Sequence, residues 1–437
     1  MEIALHCAIM HCPVQFYTLQ SILIIRKLNP LTMPIINLDS KPILSKAALL
    51  MLAFACGITV GNVYLCQPLL HQIALSFEVN QQQAGLIAVC AQTGYALGIL
   101  LIVPLADRLS PRLLVRALLI LTSGLLLVVA SATHLSLLLL ASAMLTASTV
   151  IPQILIPVVS GMVKPAQRFH VLSLLQTGLI AGILLSRTVS GSLAQWADNW
   201  RAPYWLAAVL TVILIPIIPR LLPAQQPKTD RTTYLQLLRT LPALLTSRAL
   251  QLSMLLGFLT FGAFSAFWTT LAFHLSNFPQ VSGPAEIGLF GLYGAPGALL
   301  APQLSRRCNL TPAKMNRIAL FCVFLALILA SVSSTWWHLT LILAVNLLDF
   351  GLQSGQIANQ LRIFELGAEV RARLNTLYMV ATFSGGALGA LAGIQAFKLA
   401  GWYGVCMLGG IMLVLAALSL YQYRRISTAP SSTSPHR

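Results

Sequence analysis

The sequence predicts an all-α membrane protein with twelve transmembrane helices, arranged as two parallel six-helix bundles around a central cavity. Composition gives two of the reasons: 57% of the 437 residues are hydrophobic and only 8% are charged, against roughly 25% charged in a soluble protein. The third reason is the length of the apolar stretches. They run to about 20 residues, which is long enough to cross a bilayer as helices, whereas a barrel would show short alternating segments.

Twelve apolar stretches follow one another along the chain and are numbered here as spans 1 to 12. They cover residues 46–70, 84–104, 113–132, 136–163, 168–191, 203–222, 250–275, 285–304, 316–335, 339–361, 374–397 and 402–422. The longest polar interruption separates six spans from six. We predict an N-terminal extension (1–45) with an alternative start at Met33, a first bundle (46–222), a cytoplasmic linker (223–249), a second bundle (250–423) and a cytoplasmic tail (424–437).

The net charge of +17 is explained by membrane topology. Most of the 27 lysines and arginines, Arg362 among them, lie in the terminal segments and in the gaps that would share one side of the membrane. Arg201 and Lys398 lie in the opposite gaps. Because basic loops stay in the cytoplasm, we predict that both termini are cytoplasmic. Nucleic acid is not an expected partner.

No cofactor, metal site or catalytic machinery is predicted. The eight cysteines form no CxxC pair and so indicate neither a disulfide framework nor a zinc site. The histidines lie at span ends, in loops or in tails, and no phosphate-binding glycine loop is present. These features disfavour a membrane-embedded enzyme, which is kept as a remote alternative, and an ATP-driven pump.

Span 10 carries a polar stripe within "NLLDFGLQSGQIANQLRI" (346–363). At about 100° per residue its polar side chains share one helix face. If this face pointed at lipid, placing the Asp349 carboxylate there would cost about 3 kcal/mol. Span 4 repeats part of the pattern 200 positions earlier, which indicates parallel repeats with a substrate site between them. We predict that both stripes line one aqueous cavity, with interhelical hydrogen bonding as the alternative. The span 4 stripe consists of Thr146, Thr149 and Gln153, and the span 10 stripe of Asn346, Asp349, Gln353, Gln356 and Gln360.

The loop after span 2, "VPLADRLSPRLL", resembles the signature Gly-x-Leu-Ala-Asp-Arg-x-Gly-Arg-Arg/Lys of the major facilitator superfamily. Both glycines and one arginine of the signature are replaced, and the matching residues are Leu105, Ala106, Asp107, Arg108 and Arg112. The resemblance covers residues 46–423 and implies a monomer that works by alternating access. It also implies a conformational latch in which the Asp107 segment, with Arg108 and Arg112, meets Arg371 and Arg373 before span 11.

Four further stretches are similar to a bacterial exporter branch of that family: "GNVYLCQPLL" (61–70), "LLSRTVSG" (184–191), "FSAFWTTLAF" (264–273) and "ARLNTLYM" (372–379). The Gly-Pro pair of the exporter signature is absent from span 5. The resemblance implies a secondary transporter of the bacterial inner membrane that exports a small organic molecule against proton entry. Uptake symport or facilitated diffusion of a metabolite on the same scaffold stays open as the alternative.

Two charged residues inside spans are the main candidates for function. Arginine cannot shed its proton, so Arg187 in span 5 requires a carboxylate, carbonyl groups or an anionic substrate. A carboxyl group in apolar surroundings takes up a proton more readily than one in water, so we predict that Asp349 carries the coupling proton. A structural ion pair is the alternative for both. The predicted substrate cavity also includes Asn62, Tyr64, Gln67, Thr149, Gln153, Trp268, Asn346, Gln353 and Gln356.

Overall fold

A computed structural model describes residues 44–224, 234–278, 281, 283–307, 310–332, 337–367 and 370–428. The predictions made for residues 1–43, including the alternative start, lie outside the described residues. The same holds for most of the cytoplasmic linker, residues 225–233, and for the end of the tail, residues 429–437.

The described helices follow the predicted spans. In the first half they are Lys46–Gly61 with Leu70–Ser76, Gln81–Leu101, Pro111–Ala130, Leu135–Ser148 with Ile151–Met162, Pro165–Trp196, and Ala202–Ile217. A linker helix, Tyr234–Leu244, comes before the second half. There the helices are Arg248–Leu275, Pro284–Tyr293 with Ala295–Arg307, Pro312–Ser331, Trp337–Phe364, and the run Arg371–Thr428.

Ten of the described helices are long and apolar enough to cross a membrane. The run Arg371–Thr428 counts once among them but leaves helical geometry at Ala400 and Gly401, so it supplies both span 11 and span 12. Span 1 begins with the shorter apolar helix Lys46–Gly61. The described helices therefore supply the twelve predicted spans.

Three spans are interrupted near their middle, each beside a proline. Pro68, Pro152 and Pro296 stand at the first or second position of the segments that follow the breaks in spans 1, 4 and 8. Proline has no N–H to donate within a helix, so each break leaves backbone polar groups that need other partners. Such non-helical backbone is tolerated at membrane depth only inside protein or beside water.

Equivalent helices of the two halves cross at glycines, as expected of parallel repeats. A Cβ atom on Gly182 of span 5 would overlap the backbone of Gly57 in span 1. A Cβ atom on Gly389 of span 11 would overlap the backbone of Gly262 in span 7. Small residues allow membrane helices to approach this closely. The pairing of span 1 with 5 is thus repeated by the pairing of span 7 with 11, and the predicted fold class is confirmed.

The two halves meet along spans 2 and 11 and along spans 5 and 8. A Cβ atom on Gly85 of span 2 would lie 2.6 Å from the side chain of Ile394 in span 11. Gly191 of span 5 packs against the main chain of Pro284 at the start of span 8. Both contacts lie at the ends of the spans remote from Lys46.

Arg362 differs from its expected place. It was assigned to a basic loop, but span 10 continues to Phe364 and only 8% of Arg362 is exposed. Its Nη1 donates hydrogen bonds to Ser253 Oγ at 3.1 Å and to Asn359 Oδ1 at 3.0 Å. Arg362 therefore ties span 10 to span 7 instead of acting only as a topology signal.

Candidate transport site

The break in span 1 brings polar groups to the centre of the first half. Because Pro68 cannot donate to the main chain before it, the carbonyl oxygen of Leu65 accepts a hydrogen bond from Ser190 Oγ of span 5 at 2.6 Å. The segment between the two helices, residues 62–66, forms turns. Tyr64 and Gln67, on either side of this contact, are both buried, and they face span 5.

Arg187 of span 5 is the centre of the site. Only 1% of this residue is exposed, and its Nε donates a hydrogen bond to Gln67 Oε1 at 2.6 Å. Its guanidinium carbon lies 4.0 Å from the ring centroid of Trp268, 4.8 Å from that of Tyr64 and 5.7 Å from that of Phe264. Cations are attracted to the faces of aromatic rings, so spans 1 and 7 together hold this charge.

Glycines at every third position carry span 8 past both charged residues. In "GLFGLYGAPG" (288–297), a Cβ atom on Gly291 would lie 3.0 Å from Arg187 Cβ. A Cβ atom on Gly294, where the helix breaks, would overlap the carboxyl group of Asp349. A larger residue at Gly291 would crowd the main chain of Leu184 and the stem of Arg187, and one at Gly294 would displace the carboxyl group of Asp349. Span 8 thus lies between span 5 and span 10 and connects the halves at this level.

Asp349 of span 10 is the one buried carboxylate among the described residues, with 4% of its surface exposed. Arg187 and Asp349 attract each other electrostatically. Asp349 Oδ2 nevertheless has no hydrogen-bond partner among the described residues, and neither has Nη1 or Nη2 of Arg187. Buried polar groups are normally paired, so the site holds hydrogen-bonding capacity that the protein itself does not use.

Three of the predicted cavity residues form hydrogen bonds with neighbouring helices. Asn62 Nδ2 donates to Thr149 Oγ1 at 3.3 Å, and Thr149 Oγ1 donates to the carbonyl oxygen of Thr59 at 2.5 Å. Asn346 Oδ1 accepts from the N–H of Gly297 at 3.2 Å, at the start of the helix that follows the break in span 8. At these positions the geometry is that of interhelical hydrogen bonding, the alternative considered for the stripes.

The lower part of the span 10 stripe faces span 11. Gln360 Nε2 donates to Asn375 Oδ1 at 3.2 Å, and Gln356 Nε2 lies 4.0 Å from the sulfur of Met379. Gln353 is half-buried and makes no hydrogen bond to a described residue. This part of the stripe therefore points at span 11.

A row of aromatic rings crosses from one half to the other. Phe261 of span 7 stacks on Phe264 at 5.5 Å and meets the ring of Phe383 in span 11 at 5.0 Å. Phe383 lies 4.5 Å from the ring of Tyr95 in span 2, whose hydroxyl accepts a 3.4 Å hydrogen bond from Gln153. The aromatic content of span 7 was visible in the sequence, but the pairing of spans 2, 7 and 11 was not.

The predicted latch residues divide into two groups. Arg373 lies near enough to attract Asp107, as the predicted latch requires. Arg112 instead donates two hydrogen bonds to the carbonyl oxygen of Leu222, at 2.9 and 3.1 Å, and Arg371 Nε donates to the carbonyl oxygen of Phe364 at 3.1 Å. Each of these two arginines therefore donates to a main-chain carbonyl oxygen at the end of a helical segment. Arg108 is half-buried, and its Nε has no partner among the described residues.

Broken helices and glycine crossings in two repeated halves are typical of multi-pass membrane transporters. A profile of the Major Facilitator Superfamily matches residues 50–390. The chain belongs to this family.

Its relatives include "Uncharacterized transporter YgaY" of Escherichia coli O157:H7, 36% identical over 380 residues that make up 86% of this chain and 95% of the relative. "Probable transporter SCO4007" of Streptomyces coelicolor is 36% identical over 378 residues, 84% of this chain and 85% of the relative.

Among solved structures, the nucleoside transporter NupG has a TM-score of 0.69 at 13% identity, over 87% of this chain and 99% of that one. A peptide transporter POT has a TM-score of 0.67 at 17% identity, over 87% and 94%. The solved structures support the fold alone.

Proposed function

We propose that this chain is a secondary active transporter that moves a small organic solute by alternating access and exchanges a proton at Asp349. One observation carries the proposal. Arg187 from the first half and Asp349 from the second half are opposite charges buried in one site between the halves. The site adjoins the breaks in spans 1 and 8, and transporters of this build bind solutes at such discontinuous helices near the midplane.

Protonation of Asp349 provides a physical basis for coupling. Arg187 keeps its charge at any physiological pH, so Asp349 alone can change the attraction between the halves at this level. The ionised form favours arrangements that keep the two side chains together, and the neutral form releases that preference. A ligand or proton that favours one arrangement shifts the population towards it. Asp107 and Arg373 supply a second attraction near the membrane surface, which we propose as the latch.

The direction of transport has two candidates. The exporter-like stretches favour export by proton antiport, in which solute and proton occupy the site in turn. The unpaired Nη1 and Nη2 of Arg187 favour cotransport, because an anion bound there would favour the neutral form of Asp349. A facilitator would show no proton coupling. We further propose that the chain works as a monomer in the bacterial inner membrane, with both termini in the cytoplasm on the side rich in basic residues.

Everted membrane vesicles test the coupling and its direction together. Respiration acidifies their interior, and a pH-sensitive dye reports release of the gradient when a solute from a panel of organic anions, cations and neutral compounds is supplied, either added outside or preloaded inside. Vesicles with the native chain should release the gradient with at least one solute, and vesicles with Asp349→Asn should not. Accumulation of that solute indicates antiport, whereas its loss from preloaded vesicles indicates cotransport. Equal responses from native and Asp349→Asn vesicles would contradict the proposal.

A further inference from the structure

The unused hydrogen-bonding groups around Arg187 have one chemical character. Nη1 and Nη2 of Arg187 and Nε1 of Trp268 are buried donors without a partner among the described residues. A buried donor left unpaired costs about 1–3 kcal/mol, and more when it is charged. The group of atoms that would satisfy all three is a set of acceptors, and the guanidinium edge formed by two Nη atoms matches a carboxylate in a bidentate arrangement.

The protein's own carboxylate does not fill this role. Asp349 attracts Arg187, but its Oδ2 lies against Gly294 and has no hydrogen-bond partner among the described residues. Gln67 engages only Nε of the guanidinium. The Nη edge is therefore available to a solute once a conformational change admits one.

The walls beside the guanidinium are flat and apolar. Rings of Tyr64, Phe264 and Trp268 lie within 5.7 Å of its central carbon, and a glycine, Gly291, borders it from span 8. Aromatic faces suit a planar solute, because stacked rings bury a large area at well-defined geometry. A cationic solute would instead be repelled by Arg187.

Charge balance links such a solute to a proton. The charged or titratable groups that act on Asp349 from the helices around it are Arg187 of span 5 and Tyr64 of span 1. With Asp349 ionised, the pair is neutral in sum, and an added anion would bring a second negative charge into the same apolar enclosure. Uptake of a proton by Asp349 restores the balance. Linkage is reciprocal, so the anion would favour the proton as much as the proton favours the anion.

We propose that this site binds a small organic monocarboxylate with a flat apolar body, held by the Nη edge of Arg187 and bound together with a proton on Asp349. The proposal rests on the proposed function, because it takes the Arg187–Asp349 site as the transport site. It selects cotransport of anion and proton over antiport. No bond is made or broken, and the solute and the proton are carried as an electrically neutral pair.

Equilibrium binding to the purified full chain in lipid nanodiscs tests the proposal. The probes are benzoate, phenylacetate and indole-3-acetate, with benzamide as a neutral control and benzylamine as a cationic one. We expect at least one carboxylate to bind at least tenfold more tightly than either control. Its affinity should rise as pH falls, approaching tenfold per unit, which is the limit for one linked proton.

Variants separate recognition from linkage. Arg187→Lys keeps the charge but lacks the two-pronged edge, and should weaken carboxylate binding at least tenfold while its thermal unfolding stays cooperative. If this variant fails to fold, Trp268→Phe, which keeps a ring but loses Nε1, should weaken binding severalfold. Asp349→Asn should bind the carboxylate tightly at every pH, so that the pH dependence disappears.

Three results would overturn the proposal: tighter binding of benzylamine than of every carboxylate, equal carboxylate binding by native protein and Arg187→Lys, or native affinity that does not vary with pH. Proton-coupled transport of a cation in vesicles, without carboxylate binding, would refute this inference and leave the proposed function standing. Carboxylate binding with the expected linkage, but without any transport, would refute the proposed function alone.

Discussion

Replacing Gly294 by alanine would displace Asp349 without removing its carboxyl group. The added Cβ atom would overlap Asp349 Oδ2 and would lie 3.0 Å from both Asp349 Cγ and Val345 Cγ1. Ordinary contact at such a position begins at 3.4 Å. The carboxyl group must therefore move, on the order of 1 Å, to reach normal van der Waals separation. The side chains that the added Cβ atom crowds are those of Asp349 and Val345, both on span 10.

The size of the effect follows from the crowding. Overpacking a close-packed interior costs about 1–3 kcal/mol of stability, and displacing a positioned group by about 1 Å can lower the rate of a chemical step on the order of 10²-fold. We expect the same scale of sensitivity for proton transfer, and so a fall of at least about tenfold in proton-coupled transport. Gly124→Ala is the matched control, because a Cβ atom there meets nothing within 4 Å and alanine stabilises a helix interior by about 0.5–1 kcal/mol.

Two measurements apply to both variants. Thermal unfolding in detergent compares their stability, and solute-driven proton flux into proteoliposomes compares their transport, using the solute that the vesicle panel identifies. Gly294→Ala should be the less stable and the less active of the two. If the two variants unfold at the same temperature and carry the same proton flux, Asp349 does not lie against span 8 as described.

The other predictions concern packing and the latch. Gly182→Ala should lower the free energy of unfolding by about 1–3 kcal/mol, because its Cβ atom would overlap the backbone of Gly57; wild-type thermal stability would refute the crossing of spans 1 and 5. Arg112→Gln should reduce thermal stability through the loss of two hydrogen bonds and leave the transport rate of the folded fraction unchanged. Arg373→Gln should leave thermal stability nearly unchanged, because its attraction to the exposed Asp107 is worth at most about 1 kcal/mol, and should change the transport rate, because that attraction joins the halves. Lower thermal stability with an unchanged transport rate would exclude Arg373 from the latch.

The sequence allowed the fold to be predicted because hydrophobic length and charge asymmetry are properties of single segments. Every span could be recognised from the residues it contains. The repeat was visible as well, since Asn346, Asp349 and Gln353 stand 200 positions after polar residues of span 4. What made these features readable is that the bilayer imposes the same length and polarity on each crossing.

The two charged residues of the candidate site could be singled out from the sequence, because charges inside spans are rare. Nothing in either segment indicates that Gly291 of span 8 packs against Arg187 and Gly294 against Asp349. The glycines at every third position of span 8 indicate a helix face that neighbouring helices approach closely. Asn62 and Asn346 could not be separated from solute-facing amides, because a hydrogen bond to a neighbouring helix and one to a solute demand the same side chain.

Arg362 shows a second limit of sequence reasoning. A basic residue at the predicted end of a span has the composition of a topology signal, and the end of span 10 was placed at residue 361. The helix continues one turn further, which carries the guanidinium to Ser253 and Asn359. Ends of spans depend on the packing of neighbouring helices, and hydropathy does not record that packing.

Asp349 is proposed to couple proton movement to solute movement across the membrane. Proteoliposomes containing native chain or Asp349→Asn test this coupling when two modes are compared for one transported solute: exchange of labelled for unlabelled solute without a pH gradient, and accumulation driven by an imposed gradient. We expect Asp349→Asn to keep exchange and to lose gradient-driven accumulation. Undiminished accumulation by Asp349→Asn would contradict it.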